Sequence, residues 1–77
     1  MNMKMKMKIE RWRDKAQLFL ENNIPCFIKT IDNSYHSGDI LFVGENSVHI
    51  YDFIKKEKFR IYWLDMVIFS EYKGGVK

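Results

Sequence analysis

The chain has one cysteine, Cys26, so no intramolecular disulfide can brace it, and that usage fits a reducing, cytoplasmic interior. Cys26 falls inside an apolar segment and reads as a small core residue rather than a reactive thiol. No apolar run approaches the roughly 20 residues that a bilayer-spanning helix needs. The N-terminus carries charge with no apolar block behind it, unlike a signal peptide. Catalytic patterns are missing as well: there is no glycine-rich phosphate loop and no nucleophile elbow. His36 and His49 have no cysteine or carboxylate at metal-ligand spacing. Asp39, Asp52 and Asp65 fall on different strands and read as strand ends or solvent faces. These absences point away from an enzyme, and away from a metal, a cofactor or a small-molecule substrate.

What is present is apolar and aromatic. Of 77 residues, 47% are hydrophobic and 16% aromatic, which is rich for a single domain with so high a surface-to-volume ratio. Such a chain is expected to expose apolar patches that other copies of it cover. The thirteen Lys and Arg against ten Asp and Glu give a net charge of +3, compatible with a nucleic-acid partner and with ordinary solubility alike.

Met1 to Lys8 alternates Met and Lys with no evident strand partner, and is expected to be a mobile tail. Ile9, Trp12, Ala16, Phe19 and Leu20 then fall on one face of a helix over residues 9–22, with Arg11, Arg13, Asp14, Lys15 and Gln17 opposite. Asn22, Asn23 and Pro25 end it. Five short strands follow, over about 25–31, 35–43, 47–53, 57–63 and 66–70. Asp32-Asn33-Ser34 and Gly44-Glu45-Asn46 supply turns, and Gly38 marks a bend or close approach within the second strand. Residues 73–77 read as a loose tail, leaving one domain over 9–72. The fold class is mainly β: an N-terminal helix closing one end of a strongly bent five-stranded antiparallel small barrel.

The last two strands carry apolar residues on both faces. Phe59, Ile61 and Trp63 point one way and Tyr62 and Leu64 the other; Met66 and Ile68 oppose Val67 and Phe69. Two apolar faces call for a second covering layer, either the helix and tails or a neighbouring subunit. If each copy offers its fourth strand to the next copy's fifth, the contact is head-to-tail and closes into a ring. Phe59, Ile61, Met66, Ile68 and Phe69 are the interface residues on this reading.

Several segments of the chain resemble the Sm-like proteins, which include the bacterial Hfq and archaeal Sm-like branches. The resemblance covers about Asp14 to Tyr72. It rests on the helix, on Ile24-Pro25-Cys26-Phe27-Ile28-Lys29-Thr30-Ile31, on the Asp32-Asn33 turn and on Tyr35-His36-Ser37-Gly38-Asp39-Ile40. Val48-His49-Ile50-Tyr51-Asp52 and Ile61-Tyr62-Trp63-Leu64-Asp65-Met66-Val67-Ile68 extend it. It implies a ring of six or seven copies, joined fourth strand to fifth, that binds single-stranded RNA near the pore or on a ring face. The match departs at the base-reading positions: the family's aromatic-Asp pair falls on Val43-Gly44, its Asn on Val48, and its Arg-Gly or Lys-His on Trp63-Leu64.

Single-stranded RNA needs aromatic faces for bases and cations for phosphates. Trp63, in the tight turn where the family places a cationic contact, reads equally as a base-stacking residue and as a packing anchor between subunits; it is the candidate stacking residue, with Tyr62 beside it. Asn46 is the candidate for a base-edge hydrogen bond, although its place in a turn explains an asparagine there without one. Lys55, Lys56 and Arg60 at the long hairpin, and Arg11 and Arg13 on the helix, are the candidate phosphate contacts. The expected function is non-catalytic binding of U- or A-rich RNA by a homo-oligomeric ring. The rival is the same ring as a structural or protein-interaction module without RNA.

Overall fold

A computed structural model describes residues 3–73. Helix α1 spans Met3–Glu21, so residues 3–8 extend the helix rather than forming the expected tail. Met and Lys are both good helix formers, and an adjoining helix spares them the cost of nucleation. Met1, Asn2 and most of the expected C-terminal tail lie outside the described residues. Ala16 and Phe19 are buried, with Ile9, Trp12 and Leu20 packed beside them, so the apolar stripe faces the sheet as its spacing predicts. Lys15 is exposed as expected, and its Nζ also reaches the Phe69 carbonyl, donating to it at 3.2 Å.

Asn23 ends the helix in the left-handed region (φ 56°). Ile24 N–H then reaches back to the Phe19 carbonyl at 2.9 Å, and Asn23 N–H to that of Leu20 at 3.4 Å. This is a Schellman closure, made here by asparagine in the place glycine usually takes.

The strands are β1 (Cys26–Thr30), β2 (Tyr35–Val43), β3 (Ser47–Asp52), β4 (Glu57–Tyr62) and β5 (Met66–Glu71). They form one antiparallel sheet in the order β4-β3-β2-β1-β5. The expected closed barrel is not formed. β4 and β5 are the two edges, joined by a one-turn 3-10 helix, Trp63–Asp65, and not by ladder hydrogen bonds. α1 covers the core instead.

Gly38 stands across from Cys26 on β1 and Asp52 on β3, where an added Cβ would run into the Tyr51 carbonyl oxygen. The close approach expected of this glycine is therefore real. Two bulges reset the alternation. Leu41 is the extra residue in β2 between Ile40↔Ile50 and Phe42↔His49, and Val67 is the extra residue in β5 between Thr30↔Met66 and Lys29↔Ile68. The second bulge overturns the expected pairing of faces in β5: Met66 and Phe69 both point into the core, while Val67 and Ile68 both face out. Cys26, Ile28, Val48, Ile50 and Trp63 fill the centre of the core.

Candidate functional site

The β2–β3 turn and the 3-10 turn are built against each other. Trp63 N–H donates to the Asn46 carbonyl at 3.1 Å, and the Trp63 indole Nε1–H donates to the Gly44 carbonyl at 3.2 Å. Ile31 N–H ties the same turn to β1 through the Asp65 carbonyl at 2.9 Å. The N-terminal half of α1 overhangs this junction and leaves a cleft of about 620 Å3. Lys6, Arg13, Asn46 and Tyr62 line it together with Glu10, Glu45 and Asp65, so its charges are mixed.

Of the expected RNA contacts, the fold brings Arg13, Asn46, Tyr62 and Trp63 to this cleft. Trp63 does not present a face for stacking. It is 1% exposed and forms the cleft floor, edge-on to Phe69 with ring centroids 6.3 Å apart. An indole at the join of two turns is the largest apolar group available to fill the space between them, and burial wins over display. Tyr62 is exposed instead, and the Arg60 guanidinium sits 5.3 Å from its ring centroid. Arg11 is exposed on α1 outside the cleft. Lys55 and Lys56 occupy the β3–β4 turn at the far end of β4 and do not join the site.

The expected interface residues divide likewise. Ile61, Met66 and Phe69 belong to the core of the single chain, and Phe59 turns inward against His36, ring centroids 4.7 Å apart. Ile68 alone of the five is exposed. The apolar surface along the sheet edges consists of Tyr62, Leu64, Val67 and Ile68.

Sequence reasoning missed the buried polar cluster around Asp52, which is not a solvent-face residue. Its carboxylate accepts from Ile54 N–H and Lys55 N–H, both at 2.9 Å, and faces His36 Nδ1 at 3.1 Å and Lys55 Nζ at 3.8 Å. Burial works to raise its pKa, but the Lys55 N–H, the His36 ring, the Ile54 N–H and the Lys55 ammonium outweigh it, so the carboxyl is held below its usual value. An ionised carboxylate only accepts, so His36 Nδ1 carries the hydrogen between them. The available signal was an Asp at the start of a turn, where its side chain bonds to N–H groups two and three residues on. Lys56 completes that turn at φ 59°.

Cys26 is fully buried, and burial first of all pushes its thiol up to about 12, so it stays protonated and inert. Among the described residues, no three His, Cys, Asp or Glu side chains converge as a metal site, and no helix is long and apolar enough to cross a membrane. The chain matches no protein-family model and no curated protein.

Proposed function

We propose that this chain is a divergent Sm-like protein whose copies form a ring that binds single-stranded, U- or A-rich RNA without catalysis. The observation that carries the reading is the sheet order, with β4 and β5 as free edges at the two ends of one sheet. Free edges with exposed Val67 and Ile68 favour strand addition between copies, and β4-to-β5 addition is head-to-tail. The cleft at the β2–β3 and β4–β5 turns supports the RNA half of the reading, because it gathers Asn46, Tyr62 and Arg13. The sequence resemblance supports both halves.

The interaction-module reading draws on two observations: Trp63 is sequestered, and Glu10, Glu45 and Asp65 offset Lys6 and Arg13 around the cleft. Light scattering behind size exclusion, with and without a short oligouridine at low and moderate salt, separates them. A ring-sized particle that carries RNA and sheds it as salt rises supports RNA binding. A ring that ignores RNA supports the interaction module, and a monomer at all concentrations overturns the ring.

A further inference from the structure

The β2–β3–β4 half of the sheet has an outer face, turned away from the core, that carries a continuous row of aromatic and cationic side chains. Phe42 stands beside His49, ring centroids 5.4 Å apart and nearly perpendicular. His49 is directly across from Arg60 on β4. Arg60 in turn lies over the Tyr62 ring. Tyr51 and Lys58 form the next cross-strand pair on the same face, with Asp39 on the other side of Tyr51. Phe42 is 57% exposed, and Tyr51 and Tyr62 are exposed as well.

Folding does not require these rings. The face is opposite the core, and a polar residue at position 42 would serve the ladder as well. The bulge at Leu41 is what turns Phe42 outward, in register with His49 rather than toward Ile50. A protein-docking patch would gather apolar groups at its centre and leave charge to the rim. Here a cation stands beside the aromatic groups along the row itself, which is the alternation that bases and phosphates together require.

We infer that this outer face is a binding track for single-stranded RNA, with Phe42 and Tyr62 stacking bases and Arg60 meeting phosphates. The inference rests on the RNA reading above and names a surface that reading does not include. The track follows the Phe42–His49–Arg60–Tyr62 row, since Asp39 repels phosphate at the end of the neighbouring one. Tyr62 also borders the cleft, so a strand leaving the cleft passes onto the sheet without a break. β2 and β4 are two strand spacings apart, roughly 10 Å. Sheet-borne aromatics stack two or three bases in other single-strand binders.

The test is fluorescence anisotropy with labelled decauridine and decaadenosine on the full chain, its Phe42→Ala, Phe42→Trp, His49→Ala and Arg60→Gln variants, and Asn46→Ala in the cleft. Phe42→Ala is expected to weaken binding about 5- to 100-fold while Phe42→Trp retains it, because stacking needs a ring and not a particular one. Arg60→Gln is expected to lower the slope of log affinity against log salt by about one. Phe42, Asn46 and Arg60 are exposed and His49 is half-buried on the same outer face, so folding is expected to survive each change, which the thermal midpoint of each variant checks. Wild-type affinity in Phe42→Ala and His49→Ala, with Asn46→Ala weakened, overturns the track and keeps RNA binding at the cleft. A wild-type chain that binds neither oligonucleotide overturns both.

Discussion

His36 on β2 and Asp52 at the end of β3 are joined inside the protein, His36 Nδ1 to the Asp52 carboxylate at 3.1 Å, with Asp52 only 1% exposed. The same carboxylate holds the β3–β4 turn through two backbone N–H groups. One side chain therefore fixes both the turn that launches edge strand β4 and the spacing between β2 and β3. Nothing about this pair requires catalysis: the contacts it makes are those a strand end and a tight turn need.

Asp52→Ala is expected to cost about 2–4 kcal/mol, since it strands a buried imidazole and two turn N–H groups together. Urea denaturation should show a lower midpoint with an unchanged slope. A loss below about 0.5 kcal/mol would show that water replaces the carboxylate without penalty.

The lowered Asp52 pKa also sets a pH dependence. A carboxyl held below its unfolded value contributes stability above that value, about 3.9, and loses it as pH falls through the folded one. The stability difference between wild type and Asp52→Asn should therefore be full near neutrality and shrink below about pH 4. Exposed Asp32, lowered mainly by the Thr30 hydroxyl and by Ser34, acts in the same direction and window. A difference that grows on acidification would contradict the assignment.

Trp63 gives a test of architecture. With its ring in the core and Nε1–H on the Gly44 carbonyl, Trp63→Ala is expected to cost about 3–5 kcal/mol and to disrupt folding, not to act as a clean binding variant. Trp63→Phe should cost less, about 1–3 kcal/mol, from one lost hydrogen bond and a smaller ring. Thermal melts of the two variants rank them, and equal midpoints would contradict the core placement.

For the proposed ring, Val67→Lys or Ile68→Lys should dissociate the assembly and leave the monomer's circular dichroism unchanged, because both residues face outward on an edge strand. Ile61→Lys puts a charge into the core and should unfold the chain instead. Sedimentation of the edge variants as intact rings would remove β5 from the interface.

Much of the backbone was legible in advance. β2 and β3 begin where turn residues end, and Asn23 and Asn33 adopt the left-handed conformations that asparagine tolerates. The helical stripe from Ile9 to Leu20 faces the core because its spacing leaves it no other way to bury those groups. The site was less legible. Asn46 and Tyr62 both line the cleft, yet Trp63 beside Tyr62 is sequestered, and while alternation puts His49 and Tyr51 on one face, nothing local placed Phe42 there with them, because the bulge at Leu41 decides it.

By itself the sequence determined the elements, their order and their antiparallel hairpins, because periodicity and turn chemistry act over a few residues. The tertiary structure decided which side chains face the core near the bulges, since one inserted residue reverses every position after it. It also decided the fate of the charges: whether an aspartate meets water or a buried histidine depends on a strand that lies sixteen residues away along the chain. The open sheet belongs with these long-range outcomes. β4 and β5 are adjacent in sequence, but the 3-10 turn directs them to opposite edges, and no local pattern records that choice.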